Sequence, residues 1–144
     1  IKILIGEKKH IKKGVKLLIN HLKKFNFCKF KDDNYSYDKG LMKEIAKDKT
    51  SIVSINNDNV IDGVLLGMRV PNLLNPHNVQ FHILLTWVHP DKRGSSIFYR
   101  MYKKLEKDVL KNEEVIFYSI PKTNINFNKL GFKEFQTMYI KEIK

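Results

Sequence analysis

The amino-acid sequence predicts an α+β fold, a mixed and mostly antiparallel twisted sheet flanked by helices in the order β-α-α-β-β-β-α-β-α-β. Three observations carry that expectation. Two β-branched apolar runs, "SIVSI" and "VIDGVLLGMRV", are joined by "NNDN", whose residues favour turns and tolerate positive φ. A third run, "VQFHILLTWV", is apolar on both faces over much of its length, as a central buried strand is. After it, Ile97, Phe98, Met101, Tyr102, Leu105 and Val109 recur at helical spacing and lead into a further strand, "VIFYSI".

Taken in order, Ile1 to Ile5 reads as a short strand. Ile11, Val15, Leu18, Leu22 and Phe25 then form the apolar stripe of a helix, with Lys12, Lys13, Lys16, Lys23 and Lys24 between them. Such a basic face suits a membrane surface or an RNA backbone, but a solvated helix face is the commoner outcome and is the reading taken here. Residues 26 to 39, "NFCKFKDDNYSYDK", have no clean period and are expected as a loop, with Phe27, Phe30, Tyr35 and Tyr37 either lining a site or anchoring the loop. "GLMKEIAKD" forms a short helix, and the hairpin follows. Two prolines in "PNLLNPHN" break the pattern before the central strand. A right-handed crossover through a helix at 95 to 111 then reaches "VIFYSI". Past Gly131, which marks a turn or helix end, the last residues of "LGFKEFQTMYIKEI" alternate as a closing strand.

The chain of 144 residues, 42% hydrophobic and 11% aromatic, fits one domain over 1–144 with no repeat or linker. Cys28 is the single cysteine, so no internal disulfide forms, and a reducing, cytoplasmic setting is expected. No apolar run approaches the roughly 20 residues of a bilayer span, and the charged start lacks the apolar core of a signal peptide. The formal charge of +12 attracts anions, whether cofactor phosphates, nucleic acid or an acidic partner. Lysine is spread along the whole chain, no nucleic-acid-binding module accompanies it, and nucleic acid stays a secondary expectation. His10, His21, His77 and His89 share no metal-ligand spacing, so no metal site is expected.

The stretch "WVHPDKRGSSIFYR" joins the end of a strand to a basic, serine-capped helix start. A helix N-terminus has unpaired amides and partial positive charge, so this turn suits phosphate. The alternative is a plain strand-to-helix turn capped by serine.

Four pieces, "VIDGVLL", "VHP", "RGSSIF" and "FNKLGFKEFQTMYIKEI", in that order and spacing, resemble the GCN5-related N-acetyltransferase family over nearly the whole chain. The resemblance implies acetyl-coenzyme A as co-substrate and an amine as acceptor. It places the pyrophosphate on the turn of Arg93, Gly94, Ser95, Ser96, Ile97 and Phe98, and the pantetheine arm on the backbone of Trp87 and Val88. Ser96 stands where the family has Gly, and Phe98 where it has Gly or Ala. Many members carry a Glu base six residues before the valine of V-x-P; that position is His82, and an imidazole accepts a proton in the physiological range. The alternative for His82 is a core histidine with a satisfied hydrogen bond. Gln80, on the same strand face, could orient substrate. The family's Tyr acid is replaced by Phe127, which leaves Tyr118, Ser119 and Tyr139 as candidate acids. The first expectation is an acetyl-coenzyme A-dependent N-acetyltransferase whose acceptor and oligomeric state the sequence does not identify. The second is a non-catalytic binding protein of the same fold, basic, acting on a nucleic-acid or protein partner.

Overall fold

The computed structural model describes residues 1–25, 38–118, 126–135, 139, 141 and 143. Its elements run β1 (Lys2–Ile5), α1 (Lys8–Phe25), α2 (Lys39–Asp48), β2 (Ser51–Ile55), β3 (Ile61–Asn72), β4 (Asn75–Val88), α3 (Ile97–Asp108) and β5 (Ile116–Tyr118), with single 3₁₀ turns at Pro90–Lys92 and Phe127–Leu130. One five-stranded sheet has the order β1-β2-β3-β4-β5. The first three pairings are antiparallel and β4–β5 is parallel, because the chain returns through α3.

Helices cover both faces. Ile97, Met101, Tyr102 and Leu105 of α3 pack on Ile52, Leu65, Phe81 and Ile83. Ile11 and Val15 of α1 and Ile45 of α2 pack on Val53, Val64 and Leu66, which alternate with the first set along their strands. At Gly14 α1 comes so close that an added Cβ would stand 2.1 Å from Val64 Cγ2, so only glycine fits. Asp38 caps α2 by accepting from the Leu41 amide at 3.0 Å, and Lys49 closes it in the left-handed region.

Three expectations change. "PNLLNPHN" does not break the hairpin: β3 runs through Pro71 to Asn72 and β4 starts at Asn75, around an exposed Leu73-Leu74 turn. Both prolines are accommodated because β2 pairs with β3 only as far as Leu66 and β5 pairs with β4 only over 81–83, so each sits where one strand edge needs no donor. The α3 helix begins at Ile97 and ends at Asp108, inside the expected 95 to 111, with Ser95 and Ser96 in the preceding turn. Residues 132–135 are not strand, and most of the expected closing strand lies outside the described residues, as do residues 26–37 of the aromatic loop. No helix of the described residues is long and apolar enough to cross a membrane.

Candidate functional site

Strands β4 and β5, the last two in the order of the sheet, part company after three residue pairs. Their pairing covers Phe81↔Ile116, His82↔Phe117 and Ile83↔Tyr118 and stops there among the described residues. On the other edge of β4, Leu85 pairs with Leu66 and Ile83 with Gly67, so Leu84 is the extra residue of a β-bulge. The bulge bends β4 at the point where β5 leaves it. The His89 amide donates to the Asp62 carbonyl of β3 at 2.8 Å. Alternation therefore turns the backbone groups of Thr86 and Val88 toward the open side and those of Trp87 toward β3. Of the two strand-end residues named from sequence, Val88 presents backbone to the gap, whereas Trp87 buries its ring on the α1 and α2 side beside Val64.

The turn after β4 is built from short local bonds. His89 Nδ1 accepts from the Asp91 amide at 3.1 Å, Ser95 N–H reaches the Lys92 carbonyl at 3.1 Å, and Ile97 N–H reaches Ser95 Oγ at 3.4 Å. Gly94 has φ +83 and nothing within 4 Å of a notional Cβ, so glycine is required there by conformation and not by space. Ser96 caps α3 without a side-chain bond to it, and Gly94, Ser95 and Ser96 are all exposed. Arg93 is exposed as well, and its Nε donates to the Val88 carbonyl at 3.1 Å, which ties the turn to the strand end. Ile97 is buried in the core under α3.

Phe98 and Phe127, two of the departures from the family pattern, touch. Their ring centroids are 5.9 Å apart in a T-shaped contact, and Phe127 also packs on Tyr118 at 5.4 Å. The Phe98 ring is thus directed toward the Phe127 turn and leaves the serines of its own turn uncovered.

Phe81 and Ile83 face α3, so His82 between them faces the α1 and α2 side. Its ring stacks on Phe117, with centroids 5.1 Å apart and planes 16° apart. No group of the described residues hydrogen-bonds to the imidazole. Gln80 lies opposite Val70, one pair beyond Phe81.

On the opposite face, Tyr118 shares a hydrogen bond with the Thr86 hydroxyl across the gap. Burial pushes the Tyr118 phenol above its ordinary range, and the bond from Thr86 offsets only part of that. It stays protonated and able to donate. Ser119 lies outside the described residues, and Tyr139 is 90% exposed.

One polar residue was not singled out by sequence reasoning. Asp62 is 2% exposed, and among the described residues neither carboxylate oxygen has a hydrogen-bond partner, nor has the buried Trp87 indole N–H. Asp62 is the extra residue of a second bulge, between Ser54↔Gly63 and Ile55↔Ile61, directly across from His89. A Cβ on Gly63 would meet Ile97 and Met101 of α3, so Asp62 turns toward the α1 and α2 side, the side of Trp87 and His82. A lone acid in the apolar run "VIDGVLL" was the available signal. Among the described residues no three His, Cys, Asp or Glu side chains converge as a metal site.

No family model and no curated protein sequence matches the chain. Solved structures do match it, over nearly its full length. An aminoglycoside acetyltransferase from an uncultured soil metagenomic sample aligns with TM-score 0.69 and 13% identity, covering 99% of this chain and 98% of that one. A Trypanosoma brucei acetyltransferase aligns with TM-score 0.66 and 15% identity, covering 99% of each chain. The NatB acetyltransferase complex bound to CoA aligns with TM-score 0.67 and 13% identity, over 94% of this chain and 86% of that one. These alignments over nearly the full length, with the mixed and mostly antiparallel sheet and its flanking helices, give this chain the fold of the GCN5-related N-acetyltransferases.

Proposed function

We propose that the protein transfers an acetyl group from acetyl-coenzyme A to an amine. One observation carries the reading: at the parting of β4 and β5, the His82 imidazole, stacked on Phe117, lies on one face and the protonated Tyr118 phenol on the other. The exposed turn of Gly94, Ser95 and Ser96, at the start of α3, offers hydroxyls and helix-terminal charge to the cofactor's phosphates. Thr86 and Val88 offer backbone groups to its amide-bearing arm.

His82 takes the proton from the acceptor ammonium, directly or through one water, and the neutral nitrogen attacks the thioester carbon. The carbon–sulfur bond then breaks. Tyr118 gives its proton to the departing thiolate and recovers one from solvent, while Thr86 holds the phenol in place. An amine acceptor also agrees with Asp62, because a buried carboxylate without a partner is costly unless a cation or a donor meets it.

A non-catalytic role is favoured by the Phe98–Phe127 contact, which narrows the space between α3 and the 127–130 turn. Thiol release separates the two readings. With acetyl-coenzyme A and a panel of amines (a polyamine, a lysine-bearing peptide and a peptide with a free N-terminus), the protein should speed thiol release more than about a hundredfold over buffer for at least one class. Cofactor binding without acceleration by any of them would make the protein a binding module.

A further inference from the structure

The outer flank of α1 and α2 carries charge that the fold does not balance. Helix α1 contains no acidic residue. Lys8, Lys9, Lys12, Lys13 and Lys16 are all exposed, and at 3.6 residues per turn they fall within about 140° of its circumference. Lys39, Lys43 and Lys47 make a second exposed row on α2. Among the described residues, Lys9 alone of these eight has an ion pair, with Glu7 at 3.7 Å. Like charges four residues apart destabilise a helix, so these rows are a cost unless something outside the chain neutralises them. The contrast with α3 is internal to the molecule, since Lys103 pairs there with Glu106 and Lys104 with Asp108.

The two rows meet at a groove. Lys8 from the start of α1, Lys43 and Lys47 of α2 and Lys49 just after it line an open depression of about 550 Å³, whose one acidic lining residue is Glu7. Successive lysines in each row rise by about 6 Å along the helix, a step comparable to that between phosphates on a nucleic-acid strand.

We propose that this flank binds the phosphate backbone of a nucleic-acid strand. The inference is independent of acetyl transfer and replaces the solvated-face reading of α1. A membrane surface fits less well, because the apolar sides of both helices, at Ile11, Val15 and Ile45, are buried against the sheet and leave nothing to insert into lipid. Among the described side chains of α1 and α2, lysine without interleaved exposed aromatics points to backbone contact and not to base readout.

The test is fluorescence anisotropy with labelled single-stranded DNA and RNA of about a dozen nucleotides, over a salt series. The wild-type protein should bind both at about 50 mM salt and weaken steeply as salt rises. A variant with Lys8→Gln, Lys12→Gln, Lys43→Gln and Lys47→Gln removes only exposed side chains; its affinity should fall at least about tenfold and its log-log salt slope should flatten by about 2 to 3. A variant with Arg100→Gln, Lys103→Gln, Lys104→Gln and Lys107→Gln on α3 makes the same charge change elsewhere, and its slope should move by less than about 1. Equal losses in the two variants, or a flat wild-type salt dependence, would overturn the proposal. So would binding to phosphatidylserine vesicles but not to either oligonucleotide.

Discussion

His82→Ala is expected to lower turnover by about a hundredfold or more, the usual contribution of a general base, while acetyl-coenzyme A affinity stays nearly constant. The structure sharpens this test. Among the described residues the His82 ring stacks on Phe117, a contact worth about 0.5–1.5 kcal/mol. Melting temperature read beside turnover separates the roles, and a variant that is destabilised but as active per folded molecule as wild type would remove His82 from the chemistry.

Arg69→Ala is expected to cost about 3–5 kcal/mol, because it strands a carboxylate away from water. Arg69 meets Glu114 through two bonds, Nε at 2.8 Å and an Nη at 3.1 Å, and donates to the Val109 carbonyl at 2.7 Å. Glu114 keeps only 8% of its side chain exposed. Burial alone pushes the Glu114 carboxyl up, but the Arg69 bonds, the Lys111 amide and both positive charges together hold it below its ordinary value. The sign follows. A carboxyl with a lowered folded pKa stabilises the protein above its unfolded pKa, and that contribution is lost as pH falls through the folded value. Denaturant titrations should therefore show the largest gap between wild type and Arg69→Ala near neutrality and a shrinking gap in acid. Replacing both partners with apolar residues should recover much of the loss. A gap unchanged by acid would mean that the pair contributes nothing through charge.

Much of this was legible in the sequence because it depends on local pattern. The hairpin and the α3 stripe follow from local pattern, and the turn after Val88 is a run of residues with known backbone preferences. The run from 79 to 88, read as the central buried strand, is instead the fourth of five and only partly buried, while β3 holds the middle of the sheet. What was hidden depends on partners far apart in the chain. Pro71 and Pro76 read as breakers, yet they sit in strands because their neighbours stop short and leave those edges unpaired. Phe98 read as an obstruction, and its ring position is set by Phe127, twenty-nine residues away. Arg93 read as a phosphate contact, and part of its guanidinium is committed to Val88. Asp62 could not be judged from sequence, since a bulge decides which way it points and burial decides that the direction matters.

Acetyl-coenzyme A titrated into the protein by calorimetry tests the central claim most directly, because it needs no knowledge of the acceptor. The account predicts binding in the micromolar range, about 8 kcal/mol, and weaker binding for Arg93→Glu, which sets a negative charge in the turn beside Gly94 and Ser95. An absence of heat at millimolar acetyl-coenzyme A with the folded wild-type protein would contradict it.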